Sequence, residues 1–278
     1  MSKSNIFALV LLGTISLSAQ EFQGHAEYFS KRIVKKKAEV SGIKSKEPID
    51  LEFQKEIDVA IKNATEKEFL LVFTKSESLY EENKKLDKPF VAGESSLSIS
   101  FSSAGKKYLN LKENKSLVED EVFDKEFLIE EPLVRPNWKL INETKKIGEY
   151  NCFKAELLVP VSEKQKQDYE DFLKREQKKS SLFKMHKPEE QIVIAWYTPE
   201  IPVSFGPDNY WGLPGLILEI NKEKFIILCS KVTIGNKEKS KIKVPNMGEK
   251  VTQKKFDEIL TKKTKSMQNE DGVIIFEH

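Results

Sequence analysis

"YWGLPGLILEINKEKFIILCSKVTI" (residues 210–234) decides the fold class. Two apolar runs, 215–221 and 225–234, are joined by the short polar link Asn221-Lys222-Glu223-Lys224. Strand-like runs so closely spaced read as an antiparallel hairpin. Ahead of them stands Leu213-Pro214-Gly215-Leu216, in which Pro fixes the backbone at the second turn position. Gly215 is then expected to supply the positive φ of a type II turn, so Gly212, Pro214 and Gly215 form a structural turn that launches the hairpin.

Working outward, "QIVIAWYT" (191–198) is a third strand. Pro199, Pro202 and Pro207 with Gly206 follow it, and each proline lacks the amide hydrogen that a central strand needs. A stiff irregular crossover is expected over 199–215. Trp196, Tyr197, Phe205, Tyr210, Trp211 and Leu213 crowd this segment. They form either a corner of the core or the lining of an apolar ligand pocket.

The rest of the chain has the same character. Further strands are expected within 25–40, 66–82, 97–103, 107–112, 116–123, 126–130 and 150–160, spaced as an antiparallel meander. Helices are few: one over Asp50 to Lys62, an exposed polar helix within 162–179, and one over 252–267. The last has Thr252 as N-cap and Phe256, Ile259, Leu260 and Lys263 on one stripe. These elements predict a mainly β (α+β) fold: a curved antiparallel sheet or half-open barrel with peripheral helices. No internal repeat or low-complexity linker divides it, so residues 21–278 are expected to form one β-rich domain with a polar helical insertion at about 161–190.

Lys3 precedes an apolar run from Ile6 to Leu17 and the small residues Ser18-Ala19. That pattern is a secretory signal peptide over residues 1–20, cleaved after Ala19 or Gln20. The chain is therefore expected to be exported, periplasmic or secreted, and no later apolar run is long enough to cross a bilayer. Without Lys3 the remainder carries 45 basic and 44 acidic residues, and only Arg32, Arg135 and Arg175 are arginines. Near-neutral charge and scarce arginine argue against nucleic acid as a partner.

Catalytic signatures are missing. His25, His186 and His278 have no metal-ligand spacing, and no nucleophile elbow, Walker loop or dinucleotide fingerprint occurs. No metal, cofactor or catalytic residue is expected, and an enzyme is the weakest reading. Cys152 and Cys229 are the only cysteines. In an oxidising compartment they are candidates for one disulfide, with two buried thiols as the alternative.

The letters Gly-Leu-Pro-Gly-Leu-Ile at 212–217, with "AWYTPEIPVSFGP" (195–207), "ETKKIGEYNCFKA" (143–155), "SESLYEE" (76–82) and "NWKL" (137–140), resemble the GLPGLI family. The resemblance implies an exported, β-rich protein with no assigned biochemistry. The strand order is also similar to the half-open barrel of lipoprotein carriers. Two functions are open: a non-catalytic carrier for an apolar or lipid-like small molecule, or an accessory that binds an envelope protein in assembly or outer-membrane transport. A cavity beneath 196–215 favours the first; solid packing there favours the second.

Overall fold

The first described strand, β1 (Gln23–Arg32), lies in the middle of the sheet rather than at an edge. The computed structural model describes residues 22–33, 65–83, 105–122, 125–176, 186–235 and 242–266. The expected signal peptide, the helix at 50–62 and the strand at 97–103 lie outside them. From β1 the chain runs outward through β2 (Glu66–Thr74), β3 (Glu77–Glu82), β4 (Lys107–Asn110), β5 (Lys115–Val122) and β6 (Lys125–Pro132). It then passes to the opposite edge, β7 (Lys139–Ile147), and returns through β8 (Tyr150–Val159), β9 (Gln191–Thr198), β10 (Leu216–Lys222) and β11 (Phe225–Ile234) to pair with β1. A short β12 (Glu249–Val251) joins β6 in parallel, and every other pair is antiparallel.

The connector from β6 to β7 shapes this sheet. Residues 133–138 reach at most about 25 Å when fully extended. Ten interstrand steps separate β6 from β7, about 48 Å across a flat sheet. The sheet must therefore curl until its two halves face each other. The main core records this: Phe69, Leu71, Phe73 and Tyr80 of one half share a cluster with Val193, Ala195, Ile220 and Ile227 of the other. Leu133 and Trp138, in the connector itself, pack against that cluster. The sheet stays open, with β7 and β12 as its edges.

Most strands fall where alternation placed them. The stretch 66–82 splits into β2 and β3 at Lys75-Ser76, and the 221–225 link is the expected hairpin, with Glu223 at positive φ. β7 leaves little apolar period to detect, because this edge strand is largely exposed and rich in Lys. A three-residue β12 carries no period at all.

Both helices among the described residues were foreseen. α1 (Glu163–Glu176) starts with a capping box: Gln165 N donates to Ser162 Oγ at 3.2 Å, and Ser162 N donates to Gln165 Oε1 at 2.9 Å. Its exposure matches the polar insertion. α2 (Gln253–Ser266) begins at Thr252, whose Oγ1 accepts from Lys255 N at 3.2 Å. Phe256 then meets Phe127 of β6 edge to face, with ring centroids 5.4 Å apart. No helix among the described residues is long and apolar enough to cross a membrane.

Thr252→Ala should lower stability by about 1 kcal/mol through loss of the cap. Phe256→Ala should cost about 3 kcal/mol through the cavity left against Phe127. Equilibrium urea unfolding with an unchanged m-value checks both; equal losses for the two variants would contradict the packing of α2 on β6.

Candidate functional site

The crossover at 199–215 folds into the space between the two halves of the sheet. Ile201, Val203, Phe205 and Leu213 are buried within the main core. Its backbone groups bond to one another and to the start of β10: Val203 N to Ile201 O at 2.8 Å, Gly212 N to Ser204 O at 2.8 Å, Leu216 N to Ile201 O at 3.0 Å and Ile217 N to Phe205 O at 3.0 Å. Prolines at 199, 202, 207 and 214 occupy positions with no amide to satisfy, which lets an irregular segment be buried. A turn at its tip joins Tyr210 N to Pro207 O at 3.2 Å and places Asp208 at positive φ. The crossover thus plugs the interior, and beside this plug Tyr28 of β1 donates its hydroxyl to Ile217 O, at the start of β10, at 2.7 Å.

The glycine roles differ from those expected. Positive φ belongs to Gly212, at +92°, and not to Gly215, so the expected type II turn at 213–216 is corrected. Gly215 is required for another reason: a Cβ there would stand 2.2 Å from Thr198 O. The end of β9 and the start of β10 pass too closely for any side chain. The left-handed bend falls earlier, at Gly212, where the connector clamps the loop. Arg135 Nη2 donates to Gly212 O at 3.0 Å and Trp138 Nε1 donates to Trp211 O at 2.8 Å, with the Trp138 and Tyr210 rings 6.2 Å apart.

The structure brings the six aromatic and apolar candidates to one core: Tyr197, Phe205 and Leu213 are buried in it, and Trp196, Tyr210 and Trp211 are partly buried against it. Phe205 and Leu213 are interior, and Tyr210 and Trp211 flank the clamp. Trp196 and Tyr197 are successive on β9, and alternation sends them to opposite faces. Tyr197 is buried in the core, while Trp196, on the other face of β9, is half-buried against the core margin beneath the Lys145 ammonium, 4.4 Å from its ring centroid. Lys145 also contacts both carboxylate oxygens of Glu219 at 2.7 Å. Burial pushes the Tyr210 hydroxyl up to about 12, with Asp208 adding to the shift.

Strand register extends this outward face. Lys154, Trp196, Glu219, Leu228 and Phe29 are successive cross-strand partners over β8, β9, β10, β11 and β1. Leu158 and Ile192, paired on the same side, are each 57% exposed, and Leu228 is 40% exposed. Lys154 bonds Glu143 at 3.1 Å.

A second feature escaped the sequence reading. The tip of the plug approaches α2 above β4 to β6, and a cleft of about 240 Å³ lies there, lined by Gly105, Lys107, Val118, Asp120, Ile129, Asn209, Gln253 and Phe256. Lys107 forms an ion pair with Asp208 across it. No local motif marks this cleft, because its residues come from strands, loop and helix far apart in the chain. Arg135 and Trp138 left a faint signal, as a rare arginine beside Pro136 and Trp138. Among the described residues no three His, Cys, Asp or Glu side chains gather as a metal site.

The candidate disulfide is also corrected: Cys152 and Cys229 are free, buried thiols. β9 and β10 separate their strands, so three interstrand steps, about 14 Å along the sheet, stand between backbones that a disulfide needs within about 7 Å. Burial pushes the Cys152 thiol up to about 11 and the Cys229 thiol up to about 12.

Residues 138–219, from the clamping Trp138 to Glu219, match a family described as a protein of unknown function (Porph_ging). Two solved structures of PNGF-II, in the C2 and P21 space groups, are similar at 14% identity, with TM-scores of 0.48 and 0.49 over 87% of this chain. They align over 33% and 34% of their own chains, so this chain spans about a third of their length. No curated protein matches it.

The raised thiols give a pH signature. An unfolded thiol ionises at about 8.5, so the folded chain retains protons that the unfolded chain has released. Their stabilising contribution is complete below that value and is lost as pH rises through about 11 and 12. Iodoacetamide at pH 8 should label neither cysteine in the native protein and both after unfolding in guanidinium without reductant. Labelling that requires a reductant would contradict the free thiols.

Proposed function

We propose that this chain is an exported, non-catalytic interaction module that docks a protein of the cell envelope through the outer face of β8, β9, β10, β11 and β1. The observation that carries the reading is the solid packing of the 199–215 crossover. Phe205, Leu213, Leu216 and Ile217 are at most 1% exposed, and a Cβ on Gly206 would come within 2.7 Å of Ile217. Among the described residues the space beneath the loop is occupied by the chain's own side chains, which removes the apolar pocket that a lipid-like cargo would need.

What supports the choice of surface is its composition. A central tryptophan beneath a lysine, with leucine and isoleucine exposed nearby and charged pairs interspersed, is the makeup of an interface core with a polar rim. Trp196 is the expected anchor, and Lys145 with Glu219 holds its ring in place before a partner arrives. The match to a family of unknown function assigns no chemistry that competes with this reading.

A photo-crosslinking amino acid at Ile192 or Leu228, introduced in the native host, should yield a discrete protein adduct that Trp196→Ala diminishes about tenfold, about 1.4 kcal/mol of binding. The same probe at Lys262, exposed on α2, should yield none. Equal adducts at all three positions, or none at the outer face, would overturn the docking surface. The recovered chain should begin at Gln20 or Glu21; an N-terminus at Met1 would refute the exported reading.

A further inference from the structure

We propose that the cleft between the plug tip and α2 binds a small primary alkylammonium ion, with the carboxylate of Asp120 as its counter-ion and Val118, Ile129 and Phe256 as the wall for its alkyl chain. The site lies on the inner face of the sheet: Lys107 in its wall is the cross-strand partner of Tyr80, which belongs to the main core. It is therefore separate from the outer docking face and independent of that reading.

The unspent hydrogen-bonding capacity of the cleft selects the ligand. Lys107 commits its ammonium to Asp208, so the one cation in the lining is already paired. Gln253 donates its amide nitrogen to Asp257 Oδ1 at 3.1 Å, which leaves its side-chain carbonyl oxygen as an acceptor. Asp120 receives the Glu121 backbone amide on Oδ1 at 2.9 Å, leaving its second oxygen as another acceptor. Asn209 lines the cleft from the plug tip, and its amide side chain brings a third acceptor group to the site. Three acceptors, one of them charged, match the three donors of a primary ammonium group.

Gly105, Val118, Ile129 and Phe256 complete the lining, and the volume of about 240 Å³ is below the range of about 300 Å³ and more typical of drug-sized ligands, so the ligand has few heavy atoms. Phe256, its ring held edge to face by Phe127, contributes to the wall from α2. Partial burial raises the Asp120 carboxyl above its ordinary value, against the opposing effects of the Glu121 amide and Lys107. A bound cation relieves that desolvation cost. Beside Lys107, Tyr80 keeps a buried hydroxyl with no hydrogen-bond partner among the described residues, and Asp208 is one of the charges that disfavour its ionisation.

The test is a titration of the ¹⁵N-labelled full chain with n-butylammonium chloride, followed through backbone amide shifts, with butan-1-ol and sodium chloride as comparators. Saturable shifts confined to Val118, Asp120, Ile129, Asn209, Gln253 and Phe256 are expected, with butan-1-ol binding at least about tenfold more weakly. Asp120→Asn keeps an acceptor for the Glu121 amide and should weaken butylammonium by about tenfold or more. Asn209 is exposed, so Asn209→Lys should leave the fold intact and abolish the shifts by placing a tethered ammonium in the cleft. Equal binding of butan-1-ol, shifts scattered over the acidic surface, or unchanged affinity in Asn209→Lys would overturn the proposal, whether or not Asp120→Asn folds.

Discussion

A short connector between strands ten places apart in one sheet is the constraint from which the rest follows. Because residues 133–138 cannot span a flat sheet, the two meanders that flank β1 must turn toward each other. Curling creates an interior that the strands' own side chains do not fill alone. The proline-rich crossover occupies it, contributing Ile201, Val203, Phe205 and Leu213 at about 2 kcal/mol for each fully buried side chain. The connector that imposes the curl also clamps the plug, through Arg135 on Gly212 O and Trp138 on Trp211 O.

The proposed docking and the proposed ion site fall on the two faces that this arrangement leaves. Inside, Ile201, Val203, Phe205 and Leu213 of the plug fill the core among the described residues, and the cleft lined by Lys107, Asp120 and Asn209 lies at its tip. Outside, the strands from β8 to β1 carry the half-buried Trp196 beneath Lys145, with Leu158, Ile192 and Leu228 exposed nearby. A rigid interior is an asset for such a surface, since the row from Lys154 to Phe29 is held in register by five paired strands rather than by loops.

Alternation and turn chemistry made the strands and the hairpin legible, because each strand buries one parity of its side chains whatever the topology. Thr252 and the stripe through Phe256 marked α2 for the same reason: a cap and a period are local. The curl was not legible, since it depends on which strands are neighbours, and no local pattern shows that β6 and β7 lie at opposite ends. Gly215, standing after proline, carries the local signature of a φ > 0 position, but the close approach of Thr198 O that fixes it comes from across the sheet. Trp196 and Tyr197 are adjacent in sequence, and strand alternation sends them to opposite faces of β9, although both touch the main core. The cleft at Asp120 and Asn209 assembles from three strands, the plug tip and α2, and no spacing rule points to it.

The most direct measurement is hydrogen exchange of the plug amides in the native protein. If the crossover is a structural plug, the amides of Gly212, Leu216 and Ile217 exchange only with global unfolding, at the same free energy as those in the middle of β9. Exchange of these amides at rates like those of the exposed α1 would contradict the account, because it would mean that the interior opens without the sheet.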